Sequence, residues 1–198
     1  MKAVPTKAVP MNRFVLPDES ILRAREKLVL DHFQDEVDQD WGATLSTFPH
    51  PHYELIAQMK VHDGEAAVRE YYDETRVAFP DQHHEIIAFR HSVDAVIVEF
   101  WLLGTHRGPL GEIPATGGTH RTRMNAYFVF DENENLVTER IYFDQLTILK
   151  QLVEGVDRRK PSGILKLLRI LKGVLAMSGG APDARLLDTT PPDFVRRD

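Results

Sequence analysis

The stretch Thr119–Leu152 constrains this chain most, because it spells strand, turn, strand and short helix without interruption. Met124–Phe130 (MNAYFVF) is apolar and aromatic, the make-up of a strand buried on at least one face. Asp131–Asn135 (DENEN) is a polar turn whose residues tolerate left-handed backbone angles, and Leu136–Phe143 returns as a second strand. The two-residue period of a strand sets Arg140, Tyr142 and Asp144 on one face and Glu139, Ile141 and Phe143 on the other. Asp144 thus ends a strand just before the amphipathic Leu146–Leu152. A carboxylate there caps the helix that follows or points into a cavity as a base. Function turns on which.

The rest of the chain supplies helices first and strands second. Residues 1–17 are punctuated by proline and read as an extended arm. A helix follows, capped by Asp18 or Ser20 and running to about Gln39, with Leu22, Val29, Phe33 and Val37 as its apolar stripe. Trp41–Phe48 reads as a short second helix and Tyr53–Gln58 as a short strand. Asp63-Gly64 opens a third helix that Pro80 stops. Glu85–Arg90 and Asp94–His106 are strands, the latter apolar on both faces, and Arg107–Gly118 is a long hairpin tip marked by Gly and Pro. Helices followed by strands that pair antiparallel indicate an α+β fold. After Gly155 the composition changes, and Ile164–Met177 is a basic amphipathic helix ahead of a polar tail expected to be mobile. The expected organisation is an arm over 1–17, a domain over 18–155, and an appended helix and tail over 156–198.

Composition removes several function classes. A formal net charge of −6 gives no basic excess to neutralise phosphates, so nucleic acid is not an expected partner. The absence of cysteine excludes disulfides, thiol nucleophiles and thiolate metal sites. The N-terminus lacks the apolar run of an export signal and no run reaches membrane-span length, so a cytoplasmic protein is expected.

Candidate chemistry is sparse. His50 with His52, His83 with His84, and His32 with Glu36 at i, i+4 invite a metal, but none forms a closed ligand motif; they read as solvated histidines near turns, and no metal is expected. The glycines of 104–111 and 117–118 lack phosphate-loop spacing and read as hairpin punctuation. His106 shares the parity of Val96, Val98, Phe100 and Leu102, the face expected to point inward, and offers a titratable ring there; the alternative is a histidine satisfied at the sheet margin. Arg121, Arg123, Asn125 and Tyr127 form a polar row that lines a wet pocket or covers a dimer contact.

The runs GEAAVREYYDETRVAFPD, AVIVEFWLLGTHRGPLGEIPATG and FVFDENENLVTERIYFDQLTILKQL resemble the SnoaL-like polyketide cyclases of the nuclear transport factor 2-like superfamily. The signatures are Phe79-Pro80-Asp81, Gly104-Thr105-His106 with Gly108, and Asp144 with Leu146, Leu149, Gln151 and Leu152. The resemblance implies a cone-shaped α+β fold, a curved antiparallel sheet wrapped around N-terminal helices to enclose an apolar pocket, and a homodimer. It implies cyclase, isomerase or dehydratase chemistry without metal or cofactor on a hydrophobic, carbonyl-bearing polycyclic or aromatic molecule. Asp144 resembles the acid/base aspartate of the cyclases. Arg123 with Asn125 only half resembles the Asp–Arg–Asp set of the epoxide hydrolases, because Asn is no carboxylate. The expected site is therefore Asp144 as base with His106 beside it, and Tyr142, Arg123, Tyr127, Asn125 and Phe100 on the substrate. A non-catalytic carrier of an apolar ligand and a dimerising module remain the alternatives. The dimer is expected through the outer sheet face. The appended helix is expected to pack on the body rather than on membrane, and binding of its basic face, Lys166, Arg169 and Lys172, to a membrane surface is the alternative.

Overall fold

The computed structural model describes residues 15–177 and 180–187; most of the expected arm and the last part of the tail lie outside the described residues. Helices α1 (Glu19–Asp38) and α2 (Trp41–Ser46) are followed by strands β1 (His52–Leu55) and β2 (Lys60–Asp63) and helix α3 (Glu65–Ala78). Strands β3 (His83–His91), β4 (Ala95–Thr105), β5 (Thr119–Phe130) and β6 (Leu136–Phe143) then lead to helices α4 (Gln145–Glu154) and α5 (Pro161–Met177). Among the described residues no helix is long and apolar enough to cross a membrane.

The six strands form one open, curved sheet in the order β2-β1-β6-β5-β4-β3. The expected antiparallel pairing holds between β1 and β2 and from β6 through β5 and β4 to β3, and one parallel pairing joins the two sets, β1 beside β6 with Tyr53 opposite Glu139 and Leu55 opposite Ile141. That pairing extends the sheet beyond β6 to β1 and β2. A bulge at Ile86–Ala88 bends the far edge.

Register fixes which side chains face the helices. Phe100, Met124 and Phe143 lie in one cross-strand row, Val98, Ala126 and Ile141 in the next, and Val96, Phe128 and Glu139 in the third. These meet Val29 and Phe33 of α1, Trp41 of α2 and Val68 and Tyr72 of α3 in one core. The opposite parity, Arg123, Asn125, Tyr127 and Tyr142, faces outward.

Helix α5 is seated on the 106–118 loop. Gly173 lets it approach so closely that an added Cβ would stand 2.7 Å from Ile113 Cγ1. Ile113, Val156 and Ile170 form a second small core beneath it. The segment 180–187, expected to be mobile, is tied to β2: Asp183 N–H donates to Met59 O, and Arg185 pairs with Asp63 at 2.9 Å.

Candidate active site

The helical stripe of α1 carries two polar residues, His32 and Glu36, among Val29 and Phe33, so the turn that buries the apolar side chains buries these as well. Across the layer, β1 brings in Tyr53, α3 brings in Tyr72, and β6 brings in Glu139. All five are less than a tenth exposed.

Hydrogen-bond direction fixes the protonation of this cluster. Thr47 Oγ1 donates to Thr44 O at 2.7 Å, so it accepts from His32 Nδ1–H at 3.0 Å. At the far end Tyr72 O–H donates to Glu36 Oε1 at 2.9 Å. Tyr72 oxygen then accepts from Tyr53 O–H, and Tyr53 oxygen accepts from His32 Nε2–H at 2.8 Å. Both imidazole nitrogens donate, so His32 is an imidazolium. Burial alone would lower its pKa, but Glu139 and Glu36 overcome that and raise it to about 9. Burial opposes ionisation of Glu36 too, and His32 beside it brings its pKa down to about 2.

Glu139 differs from Glu36. Its Oε2 lies 3.3 Å from His32 Nε2, whose proton is committed to Tyr53, and has no hydrogen-bond partner. Burial raises its pKa, with the charge of Glu36 adding to the rise and His32 opposing it. His84 completes the group, its Nε2 3.4 Å from Glu36 Oε2 and its ring between Phe33 and Phe100; burial lowers its pKa to about 4, so it is neutral. Arg76 NH2 holds the Glu36 backbone carbonyl at 2.6 Å and lies over Trp41, which stacks on Tyr72. One ligand atom each from His32, Glu36 and Glu139 falls within 4.8 Å of the others, the arrangement that could hold a cation if Nε2 gave up its proton.

This cluster forms the floor of a cavity. An inner chamber of about 40 Å³ is lined by Glu36, Tyr53, Tyr72, His84 and Glu139. It shares Tyr71, Thr75, Gln82, Leu102 and Met124 with an outer chamber of about 90 Å³, walled by Leu55, Phe79, Phe143, Ile148 and Met177. The outer chamber is apolar and the inner one polar. At about 10–15 Å³ per water, the inner chamber has room for about three waters, so a polycyclic ligand must part the walls to enter.

The expected site residues do not come together around it. Phe100 lies on the inner face and lines the inner chamber. Asn125 sits opposite Glu99 and Tyr142 on the outer face, Arg123 opposite Trp101, and Tyr127 opposite Ile97 and Arg140. Arg123 is bound to Glu99, and Tyr142 is exposed beside Tyr127. Parity placed these residues together correctly, but the apolar row of β5 takes the inside and the polar row the outside.

Asp144 is exposed and caps α4: its carboxylate accepts from Thr147 N–H at 3.0 Å and from Thr147 O–H at 2.6 Å. Those bonds hold its pKa below the usual carboxylate value, the reverse of what a base at neutral pH needs. His106 is wholly buried, but behind Phe79 rather than on the cavity. Its Nδ1 accepts from Thr116 O–H at 3.1 Å, and burial lowers its pKa. It is a buried histidine at the sheet margin, bonded through Nδ1 alone, while its Nε2 has no hydrogen-bond partner.

Sequence reasoning gives Glu139, Tyr53 and Tyr72 no role in a site, and it weighs Glu36 and His84 only as members of metal pairs that it sets aside. The available signal was Glu139 sharing a strand face with Ile141 and Phe143. His32 and Glu36, read as solvated, are buried because they share the α1 stripe.

The family described as SnoaL-like polyketide cyclase matches residues 27–152. No curated protein matches the chain. Among solved structures, a SnoaL-like protein of Jannaschia sp. CCS1 superposes with a TM-score of 0.63 at 16% identity, over 70% of this chain and 97% of the other. A nuclear transport factor 2-like protein of Burkholderia pseudomallei K96243 gives 0.56 at 13% identity, over 65% and 96%. A protein of Catenulispora acidiphila DSM 44928 with a ketosteroid isomerase-like fold, solved with trimethylamine, gives 0.54 at 15%, over 63% and 91%. These likenesses carry the fold.

Proposed function

The chain belongs to the SnoaL-like polyketide cyclase family, and from that premise we propose an acid–base enzyme of cyclase, isomerase or dehydratase type that needs no cofactor. Its substrate is a hydrophobic, carbonyl-bearing polycyclic or aromatic molecule, and its base is Glu139. One observation carries this reading: Glu139, which lines the polar end of an otherwise apolar cavity, has a buried carboxylate oxygen that accepts no hydrogen bond. Desolvation makes that carboxylate a stronger base than one in water.

In this reading the apolar body of the ligand occupies the outer chamber and its carbonyl the inner one. Glu139 Oε2 takes a proton from the carbon beside the carbonyl, and the electron pair moves onto the carbonyl oxygen. Tyr71, which lines both chambers and is kept protonated by burial, donates to that enolate oxygen. The imidazolium of His32 stabilises the Glu139 charge between turnovers and, through Tyr53 and Tyr72, holds Glu36 ionised. Glu139 returns its proton once the ring has closed or the double bond has moved.

The test is deuterium uptake from D2O next to the carbonyl of aromatic β-keto esters, read by mass spectrometry. Glu139→Gln is expected to slow exchange by about 10²–10⁴-fold. Exchange at the native rate in that variant would sink the reading. Asp144 in capping geometry and the apolar outer chamber favour a second reading, a carrier of an apolar ligand, which would show binding with no exchange by the native protein.

A homodimer through the outer sheet face belongs to the same proposal. Trp101 there lies under Arg121 at 4.0 Å and Arg123 at 5.1 Å, an amphipathic surface suited to a second copy. A monomer in sedimentation at micromolar concentration would remove it.

A further inference from the structure

We propose that the outward face of α5 docks on an anionic lipid surface. The helix has two apolar faces, and the body takes only one. Ile170 and Gly173 are buried against the 106–118 loop, and Gly163 against the backbone of Asp157. On the other side Ile164, Leu168, Leu171 and Leu175 are 53, 60, 57 and 66% exposed. Their spacing of four, three and four residues puts them in a single stripe. Leu146 of α4, 60% exposed, stands across a groove and extends the patch.

Charge selects the occupant. Arg169 and Lys172 flank the stripe on α5, which carries no carboxylate, and Lys150 and Arg158 line the groove on the other side. The acids nearby are Glu112, paired with Lys172 at 3.0 Å, Asp157 beside Gly163, paired with Lys160 at 3.4 Å, and Glu154 in the groove. A second copy laid stripe to stripe would set Arg169 and Lys172 near their own equivalents, with no acid on the helix to answer them. Anionic headgroups answer them directly, while the leucines enter the upper acyl layer. The formal charge of −6 on the whole chain favours this basic face over the rest of the surface in any encounter. Sequence alone sets α5 against the body, with surface binding by its basic face as the alternative; the exposed stripe is what favours the alternative for the outward face. Met177 on the body-facing side of α5 lines the outer chamber, so the docked helix would also be part of the cavity wall. The inference stands whether or not the cavity does chemistry.

The full chain should co-sediment with vesicles of phosphatidylcholine and phosphatidylglycerol, far less with phosphatidylcholine alone, and less as salt is added. Leu168→Glu with Leu171→Glu should lower that binding by about tenfold or more with an unchanged thermal midpoint, since both side chains are exposed. Arg169→Gln should lower it by about fivefold. No binding to either vesicle, or binding that the double variant retains, overturns the proposal. So does self-association of the native chain that the double variant abolishes without any vesicle binding, which would make a second copy the occupant.

Discussion

Strand β6 presents two carboxylates that began as equals in the sequence. Glu139 and Asp144 have similar intrinsic acidity, yet the structure drives them in opposite directions. Glu139 faces the core, 2% exposed, with an unpartnered oxygen, and burial raises its pKa. Asp144 lies past the strand end in water, and two hydrogen bonds from Thr147 lower its pKa. The first resists ionising and gains from taking a proton; the second is ionised and already occupied. Position on the sheet, more than residue type, decides which of the two is a base.

The comparison can be broken by substitution. The largest expected effect is on proton abstraction, where Glu139→Gln should lose about 10²–10⁴-fold while Asp144→Asn stays near the native rate. Loss in the Asp144 variant alone would invert the assignment. Next is stability. His32→Ala removes the imidazolium that faces Glu36 and Glu139 and should cost about 3–5 kcal/mol in urea unfolding at neutral pH. A change no larger than that of an exposed substitution would show that the cluster does not hold its charges as described.

The pH dependence sharpens the same point. His32 has a folded pKa of about 9 against 6.5 ordinarily, so its stabilisation is complete below about pH 6.5 and is lost as pH rises through 9. Glu36, at about 2 against 4.5, contributes fully above about pH 4.5 and loses that contribution as pH falls through 2. The raised pKa of Glu139 works against the fold once pH passes the ordinary carboxylate value. Thermal midpoints of the native chain should therefore fall between pH 6.5 and 9, and His32→Ala should flatten that fall. A native profile with no such decline would contradict the imidazolium. The smallest effect belongs to Asp144→Ala, which loses the α4 cap and should lower the midpoint less than His32→Ala, with exchange unchanged.

Much of the fold was legible because long strands and helices repeat. Alternation set β4, β5 and β6 almost to their ends, and the stripe of α1 and the stop at Pro80 placed two helices. Four-residue β2 was missed, since so short a run has no readable period, and the parallel entry of β1 beside β6 depends on a pairing between distant segments. The site was less legible. Parity grouped Arg123, Asn125 and Tyr127 but could not say which group faced in, because β4 is apolar on both sides and offered no reference. The polar row reads as a pocket wall or as the cover of a dimer contact; in the folded sheet it is the outer surface, held by Glu99 and stacked on Trp101. His32 and Glu36 were visible as a pair, but their meaning came from Glu139, Tyr53 and Tyr72, which only the folded sheet and α3 bring to them. Capping by Asp144 was one of two readings from the start, and Thr147 three residues on is what selected it.

The central claim is that Glu139, not Asp144, is the carboxylate prepared to accept a proton. Carbon-13 NMR of the side-chain carboxyls, titrated site by site in the native chain, measures this without a substrate. The account predicts that Glu139 titrates above the ordinary glutamate value of 4.5 and Asp144 below the ordinary aspartate value of 3.8. Glu139 titrating at or below its ordinary value, or Asp144 above its own, would contradict it.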